Sequence, residues 1–433
     1  MQLIRGELLY FIPGSGNSYV TEYISDGGLL IDAGKVVYCG AWRSAYDLAR
    51  PDTLLIDYSG KLILPGFIDT HIHYTQTDII ASPGHELLDW LTRYTFPAEQ
   101  RFAEVSWGRE VATFFCTELL RNGTTTAVVF GSVHPESVDA LFQVADAQGM
   151  RMAVGKVMMD RHCPESLQDT AQSAYDDSKR LLDNWRNVGR LQYAITPRFA
   201  ITSSAAQLEV ASALARQYPE ALIQTHLAEN PAEVEWVKRL FPQARSYLDV
   251  YDHYDLLRPG SIFAHCIYLN DHDRAVFVER GASVAFCPTS NLFLGSGLFD
   301  LQAAQSADMR VAIATDVGGG SSFSMLRTMS AAYQVARLQG HELAATHAFY
   351  LATLAGARAM GKTDCIGSFL PGREADFIVL DPDATALLSR RMKNVQSLEE
   401  KLFLWLMLGD DRAIAATYIM GKMKWRHPES TAE

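Results

Sequence analysis

From Lys61 onward, short apolar or β-branched runs stop abruptly at polar, Gly or Pro residues, and longer stretches with apolar positions three and four apart follow them. Eight such runs occur in order, at residues 62–68, 125–130, 152–158, 191–196, 221–225, 261–264, 283–286 and 311–314. This alternation predicts βα units, and eight parallel strands predict closure into a (β/α)₈ TIM barrel of the α/β class. Helices are expected over residues 135–149, 164–187, 204–218 with a cap near Ser203, and 231–240. Residues 85–122 form a longer segment than one crossover helix requires, which predicts a lid over the barrel mouth.

The two ends have a different pattern. Residues 3–10, 28–31, 35–39 and 53–57 read as short strands separated by turn residues, and 374–381 and 414–425 supply similar strands at the far end. A small β-sandwich built from both termini is expected beside the barrel. The division is 1–65 for its N-terminal part, 66–366 for the barrel and 367–433 for its C-terminal part.

Composition narrows the function. With 433 residues, 48% of them apolar and 20% charged, the chain has the make-up of a globular protein with a sizeable core. A net charge of -12 and the absence of a Lys/Arg cluster argue against a nucleic-acid partner. No apolar run is long enough for a membrane span, and Arg5 and Glu7 interrupt the start where a secretory signal would need an unbroken apolar core. A soluble, cytoplasmic protein with no membrane partner is expected. Six scattered cysteines without a CxxC pair predict reduced, mostly buried thiols.

The chemistry gathers at strand ends. His71-Ile72-His73 closes the first barrel run, and side chains two apart on a strand share a face, so both imidazoles can hold one metal. His226, His265 and Asp316 each follow another run, at the rim where a barrel of this kind builds its active site. Taken singly, each could be a hydrogen-bonded strand-end residue, and Asp316 a cap for a helix starting near Ser321. Together they point to a divalent ion, most simply Zn²⁺, with Fe²⁺ and Mn²⁺ open. Glu229, three residues past His226, puts a carboxylate beside the metal but free to move protons; the bland alternative is an exposed acid at a helix start. His85, His134, His162, His253, His272, His341, His347 and His427 fall in predicted helices or loops, where solvated or capping roles suffice.

Pro65-Gly66-Phe67-Ile68-Asp69-Thr70-His71-Ile72-His73 resembles the opening of the amidohydrolase superfamily's barrel, and Pro371-Gly372-Arg373-Glu374-Ala375-Asp376-Phe377 resembles the return into its terminal sandwich. More narrowly, His71-Ile72-His73-Tyr74-Thr75-Gln76, Arg198-Phe199, His226-Leu227-Ala228-Glu229-Asn230 and Thr315-Asp316-Val317-Gly318-Gly319-Gly320 resemble the guanine deaminase family. The resemblance implies metal ligands His71, His73, His226 and Asp316, with one ion because no Lys ends the fourth strand. It also implies Glu229 as general acid/base, His265 as the residue that orients water, and Asp316 as acceptor of the water's proton. Gln76, Arg198 and Phe199 would bind the base alongside His226, Glu229 and His265. Guanine as substrate and a homodimer are implied too; related aminohydrolases acting on 8-oxoguanine, pterins, triazines or S-adenosylhomocysteine, and a non-catalytic interaction barrel, are the rivals.

Two motifs point elsewhere. Gly356 to Thr363 fits the Walker A pattern, but it ends a helical run instead of following a strand, so Gly361 reads as a helix C-cap. His134-Pro135-Glu136 and His427-Pro428-Glu429 match the HxE of other zinc deaminases, yet the PCxxC those enzymes require is missing.

Overall fold

Parallel strands run in the order Phe67–His73, Thr124–Phe130, Arg151–Gly155, Gln192–Pro197, Leu222–Leu227, Ser261–His265, Ser283–Phe286 and Arg310–Ile313, each paired with the next. The computed structural model describes residues 1–84 and 86–428 of the chain. Most of these strands are buried throughout, the condition for parallel strands with helices outside and side chains packed inside. The TIM barrel expected from the alternating pattern is present.

The first and eighth strands meet through bonds made at and beyond their ends. Thr70 Oγ1 donates to the Ile313 carbonyl at 3.2 Å, the Asp316 amide to the His71 carbonyl at 2.9 Å, and the His73 amide to the Val317 carbonyl at 2.8 Å. Asp69, fully buried, accepts from the Thr315 amide at 3.1 Å, from the Thr315 hydroxyl and from the His71 amide. Burial pushes its carboxyl up to about 7 against these hydrogen bonds.

Residues 62–68, read as one barrel strand, are parts of two. Leu54–Pro65 belongs to the terminal sheet, parallel to Gln2–Pro13 and antiparallel to Phe377–Leu380, and the barrel starts at Phe67. The hinge is Gly66, where any side chain would collide with Thr125. The expected helix at 164–187 begins late: Glu165–Leu167 is a 3₁₀ turn, and Ala171–Trp185 starts where Thr170 and Ser173 form a reciprocal cap. The cap of Ala205–Gln217 is Ser204, one residue past the expected position.

The terminal β-structure is a seven-stranded sheet contributed by both ends, whose strands enclose a second apolar core around Leu8, Ile31, Phe377 and Tyr418. Its C-terminal members are shorter than the pattern suggests. Met420 and Gly421 turn between Ile414–Ile419 and Lys422–Arg426, and Glu374 and Asp376 are drawn out of the strand run to meet arginines at the base of the barrel. Glu374 accepts from Arg151 Nε and Arg190 Nε at 3.0 Å each, and Arg190 also pairs with Asp376. Removing Glu374 strands a largely buried guanidinium, so Glu374→Ala is expected to cost about 3 kcal/mol in denaturant unfolding. A loss within experimental error would mean that the cluster contributes nothing to joining sheet and barrel.

The segment after the first strand holds the short helix Leu87–Trp90, a π-helical turn Leu91–Thr95, the helix Phe96–Gln100, and then Val105–Arg121, which packs on the helix Pro135–Gln148. The run at residues 343–360 is two short helices, Ala345–Leu351 and Leu354–Ala359, and Gly361 follows with φ of 64°, a left-handed helix end. His347 departs from the solvated role expected of it: its Nδ1 meets the Tyr19 hydroxyl at 2.8 Å, and its ring stacks on Tyr19. His134 also departs: among the described residues its buried Nε2 has no partner, and its side chain makes no capping bond. His85 and Glu429 lie outside the described residues. All six cysteines are free.

Candidate active site

The strand ends bring His71, His73, His226, His265 and Asp316 to one point at the barrel mouth, all nearly inaccessible to solvent except His226, which is partly exposed. His71 and His73 face the same way along the first strand, as period-two geometry requires. Their Nε2 atoms are 3.3 Å apart; His73 Nε2 is 3.2 Å from His226 Nε2, and Asp316 Oδ1 lies 3.2 Å from His71 Nε2 and 3.4 Å from His73 Nε2. A tetrahedral ion with bonds of 2.0–2.1 Å spaces its ligands by about 3.3 Å, so these four donors fit a cation of the zinc type.

The second ring nitrogen of His226 fixes its tautomer. Nδ1 lies 2.6 Å from the Arg198 carbonyl, which only accepts, so Nδ1 carries the proton and Nε2 presents its lone pair to the cluster. His265 is oriented in the same manner by Asn291 Oδ1 at 2.8 Å, while its Nε2 has no hydrogen-bond partner among the described residues and stands 3.4 Å from Glu229 Oε2 and 3.7 Å from Asp316 Oδ2. Ligand-capable atoms of His71, His226, His265 and Asp316 also lie within 4.8 Å of one another, which makes His265 the alternative to His73. The distances favour His73 as the fourth vertex.

Electrostatics follow from burial and neighbours. Burial, reinforced by neighbouring imidazoles, holds His73 and His226 well below the usual histidine range, so both are neutral donors. Burial alone would raise Asp316, but His71, His265 and His73 outweigh it and keep the carboxylate ionised. Burial would lower His265, whereas Glu229 and Asp316 raise it. Several of these residues have left-handed backbone, with φ of 70° at His265, 51° at Asp316 and 50° at Ala228, conformations that non-glycine residues hold only under constraint.

Glu229 is 3% exposed and is therefore no solvated acid at a helix start. Its amide and that of Asn230 both donate to Glu233 Oε2, at 2.8 and 3.1 Å, while Asn230 caps the helix Pro231–Leu240. Ser296 Oγ donates to Glu229 Oε1 at 3.0 Å, leaving Oε2 toward His265. Burial pushes the Glu229 carboxyl up to about 7, with His265 pulling the other way.

One pocket collects this floor together with Gln76, Arg198 and Phe199, under a wall of Leu87, Trp90 and Leu91. His73, His226, Glu229, His265 and Asp316 all line it; His71 sits behind them. Sequence reading missed Glu99, Asn291 and Ser296, which hold Arg198, His265 and Glu229. Asn291 and Ser296 follow the seventh strand run, a rim position that could have suggested them; no spacing signal marks Glu99.

A model of the Amidohydrolase family matches residues 62–424. Guanine deaminase of Escherichia coli strain K12 is 51% identical over 403 residues, which cover 93% of this chain and 92% of the relative. The solved structure of E. coli guanine deaminase superposes with a TM-score of 0.96 at 48% identity, covering 99% of this chain and 100% of the other. Guanine deaminase from C. acetobutylicum, solved with guanine bound in its active site, matches with a TM-score of 0.88 at 26% identity, covering 98% of this chain and 100% of the other.

Proposed function

The chain belongs to the amidohydrolase family, and from that membership and the geometry of the barrel mouth we infer that it hydrolyses guanine to xanthine and ammonia. The observation that carries this reading is the single pocket in which a metal-competent floor, a proton-carrying carboxyl and donors for a purine carbonyl meet. A divalent ion, most simply Zn²⁺, held by His71, His73, His226 and Asp316, would supply an acidified water at that floor.

The side chains do the rest. Phe199 gives the purine ring an apolar surface. Arg198 is donor-only, and apart from the Nη1 engaged by Glu99 its N–H groups have no partner among the described residues, so they are available to the O6 carbonyl of guanine. Asp316 Oδ2 and His265 Nε2 are the acceptors positioned to take and hold the water's proton as oxygen adds to C2. Glu229 carries a proton near neutral pH, passes it to the ring nitrogen beside C2 as aromaticity is lost, and then assists delivery of a proton to the departing amine. One water enters, the C2–N bond breaks, and ammonia leaves. A homodimer and a cytoplasmic location go with this reading; no helix among the described residues is long and apolar enough to cross a membrane.

The test is ammonia release by the purified protein from a panel of purines, pyrimidines and pterins. Guanine is expected to react and adenine not to: held with its 6-position at Arg198, adenine presents N6 donors to a donor-only side chain and carries hydrogen in place of a leaving amino group at C2. Arg198→Ala should lose most activity on guanine and keep its metal. Efficient adenine turnover, or an Arg198→Ala enzyme as active as the parent, would remove the case for guanine.

A further inference from the structure

Arg198 is 2% exposed and Glu99 4% exposed, an ion pair closed off from water. Both carboxylate oxygens of Glu99 accept from the same nitrogen, Arg198 Nη1, at 2.9 and 2.7 Å. This grip uses Nη1 alone and leaves Nε and Nη2 without acceptors among the described residues, on a residue that lines the pocket. Glu99 Oε1 also accepts from Gln76 Nε2 at 3.4 Å, while Gln76 Oε1 accepts from the Gly318 amide at 3.2 Å. The two ends of the Gln76 amide are thereby told apart, since nitrogen must face the carboxylate and oxygen the amide. One carboxylate therefore touches both polar side chains that stand on the wall of the pocket.

The charge balance points the same way. An unpaired guanidinium buried to this degree is costly and would favour anionic ligands; paired with Glu99 it is nearly neutral overall and still offers N–H donors. That combination suits a neutral base with a carbonyl group. Glu99 lies on Phe96–Gln100, directly after the π-helical turn that places Leu91 against the pocket, so the segment that forms the apolar wall also brings the counter-charge.

We propose that Glu99 is a positioning residue for base recognition, aiming the free N–H edge of Arg198 and the amide of Gln76 at the 6-oxo side of the purine. It acts through these two side chains and lies outside the reacting atoms. The inference rests on the reading of the pocket as a guanine site.

The test is a double-mutant cycle on the metal-loaded enzyme with Glu99→Gln, Arg198→Met and both, with kcat/KM for guanine, metal content and Tm measured for each. Glu99→Gln is expected to lower kcat/KM about 10²-fold with metal unchanged, the size of loss that misplacement by about an ångström produces. In the Arg198→Met background the same change should cost less than about threefold, because the partner that Glu99 grips with both oxygens is gone and only its longer bond to Gln76 remains. The double variant should also recover Tm relative to Glu99→Gln alone, since neutral replacement of both partners removes the buried charge. Equal losses in both backgrounds, or no recovery of Tm, would overturn the proposal in an enzyme that works on guanine. A parent enzyme inert toward guanine would instead overturn the reading of the pocket, and this inference with it.

Discussion

Asp316→Ala and His71→Ala are expected to lose bound metal and catalytic activity together, down to background. Asp316 Oδ1 and the Nε2 atoms of His71 and His73 stand at the spacing of tetrahedral ligands, and deleting one vertex leaves the others too few to hold an ion against water. Elemental analysis of the parent protein should give about one divalent ion per chain, because no Lys ends the fourth strand to bridge a second; that strand ends at Pro197. His73→Ala should lose the ion, whereas His265→Ala should keep it and lose turnover, since His265 Nε2 is 3.7 Å from Asp316 Oδ2 and faces Glu229 instead. Two ions per chain, full activity in metal-free protein, or the reverse behaviour of the His73 and His265 variants would each refute this assignment.

Glu229→Gln should separate coordination from proton transfer. The amide keeps the shape of the side chain and can still accept from Ser296, but it carries no transferable carboxyl proton. Metal content should stay at the parent value while kcat falls on the order of 10²–10⁴-fold, the usual size for loss of a general acid–base group. Turnover close to that of the parent would make Glu229 a bystander, held in place by Glu233 and Ser296 for packing alone.

The parts of this site legible in the sequence are those whose neighbours are set by local geometry. His71 and His73 share a face because a strand has period two, and His226, His265 and Asp316 could be placed at one rim once parallel strands were recognised. Glu229 was readable from its spacing to His226, although its burial depends on Glu233 and on a left-handed Ala228. The supporting residues were not legible because their partners are remote in the chain: 99 residues separate Glu99 from Arg198, and 67 separate Ser296 from Glu229. The strand limits failed for a related reason. Residues 62–68 have one continuous apolar pattern, and only the approach of Thr125 to Gly66 and the pairing of Leu62–Pro65 with Phe377–Leu380 divide it between two sheets. Glu374 and Asp376 likewise sit in a strand-like run, but two arginines at the bottom of the barrel claim them.

The seam between the first and eighth barrel strands carries a consequence for the order of events during synthesis. Asp69 and Thr315, which bond across it, are 246 residues apart, and His71 and Asp316 are joined at the same seam through the Asp316 amide. Pairings so distant in sequence are among the slowest to form, because a long loop must close before any contact rewards it. A chain that has left the ribosome only as far as its seventh strand possesses the imidazoles but lacks the carboxylate. The complete ligand set thus comes into being only with closure of the barrel, once the eighth strand has been made and has found the first.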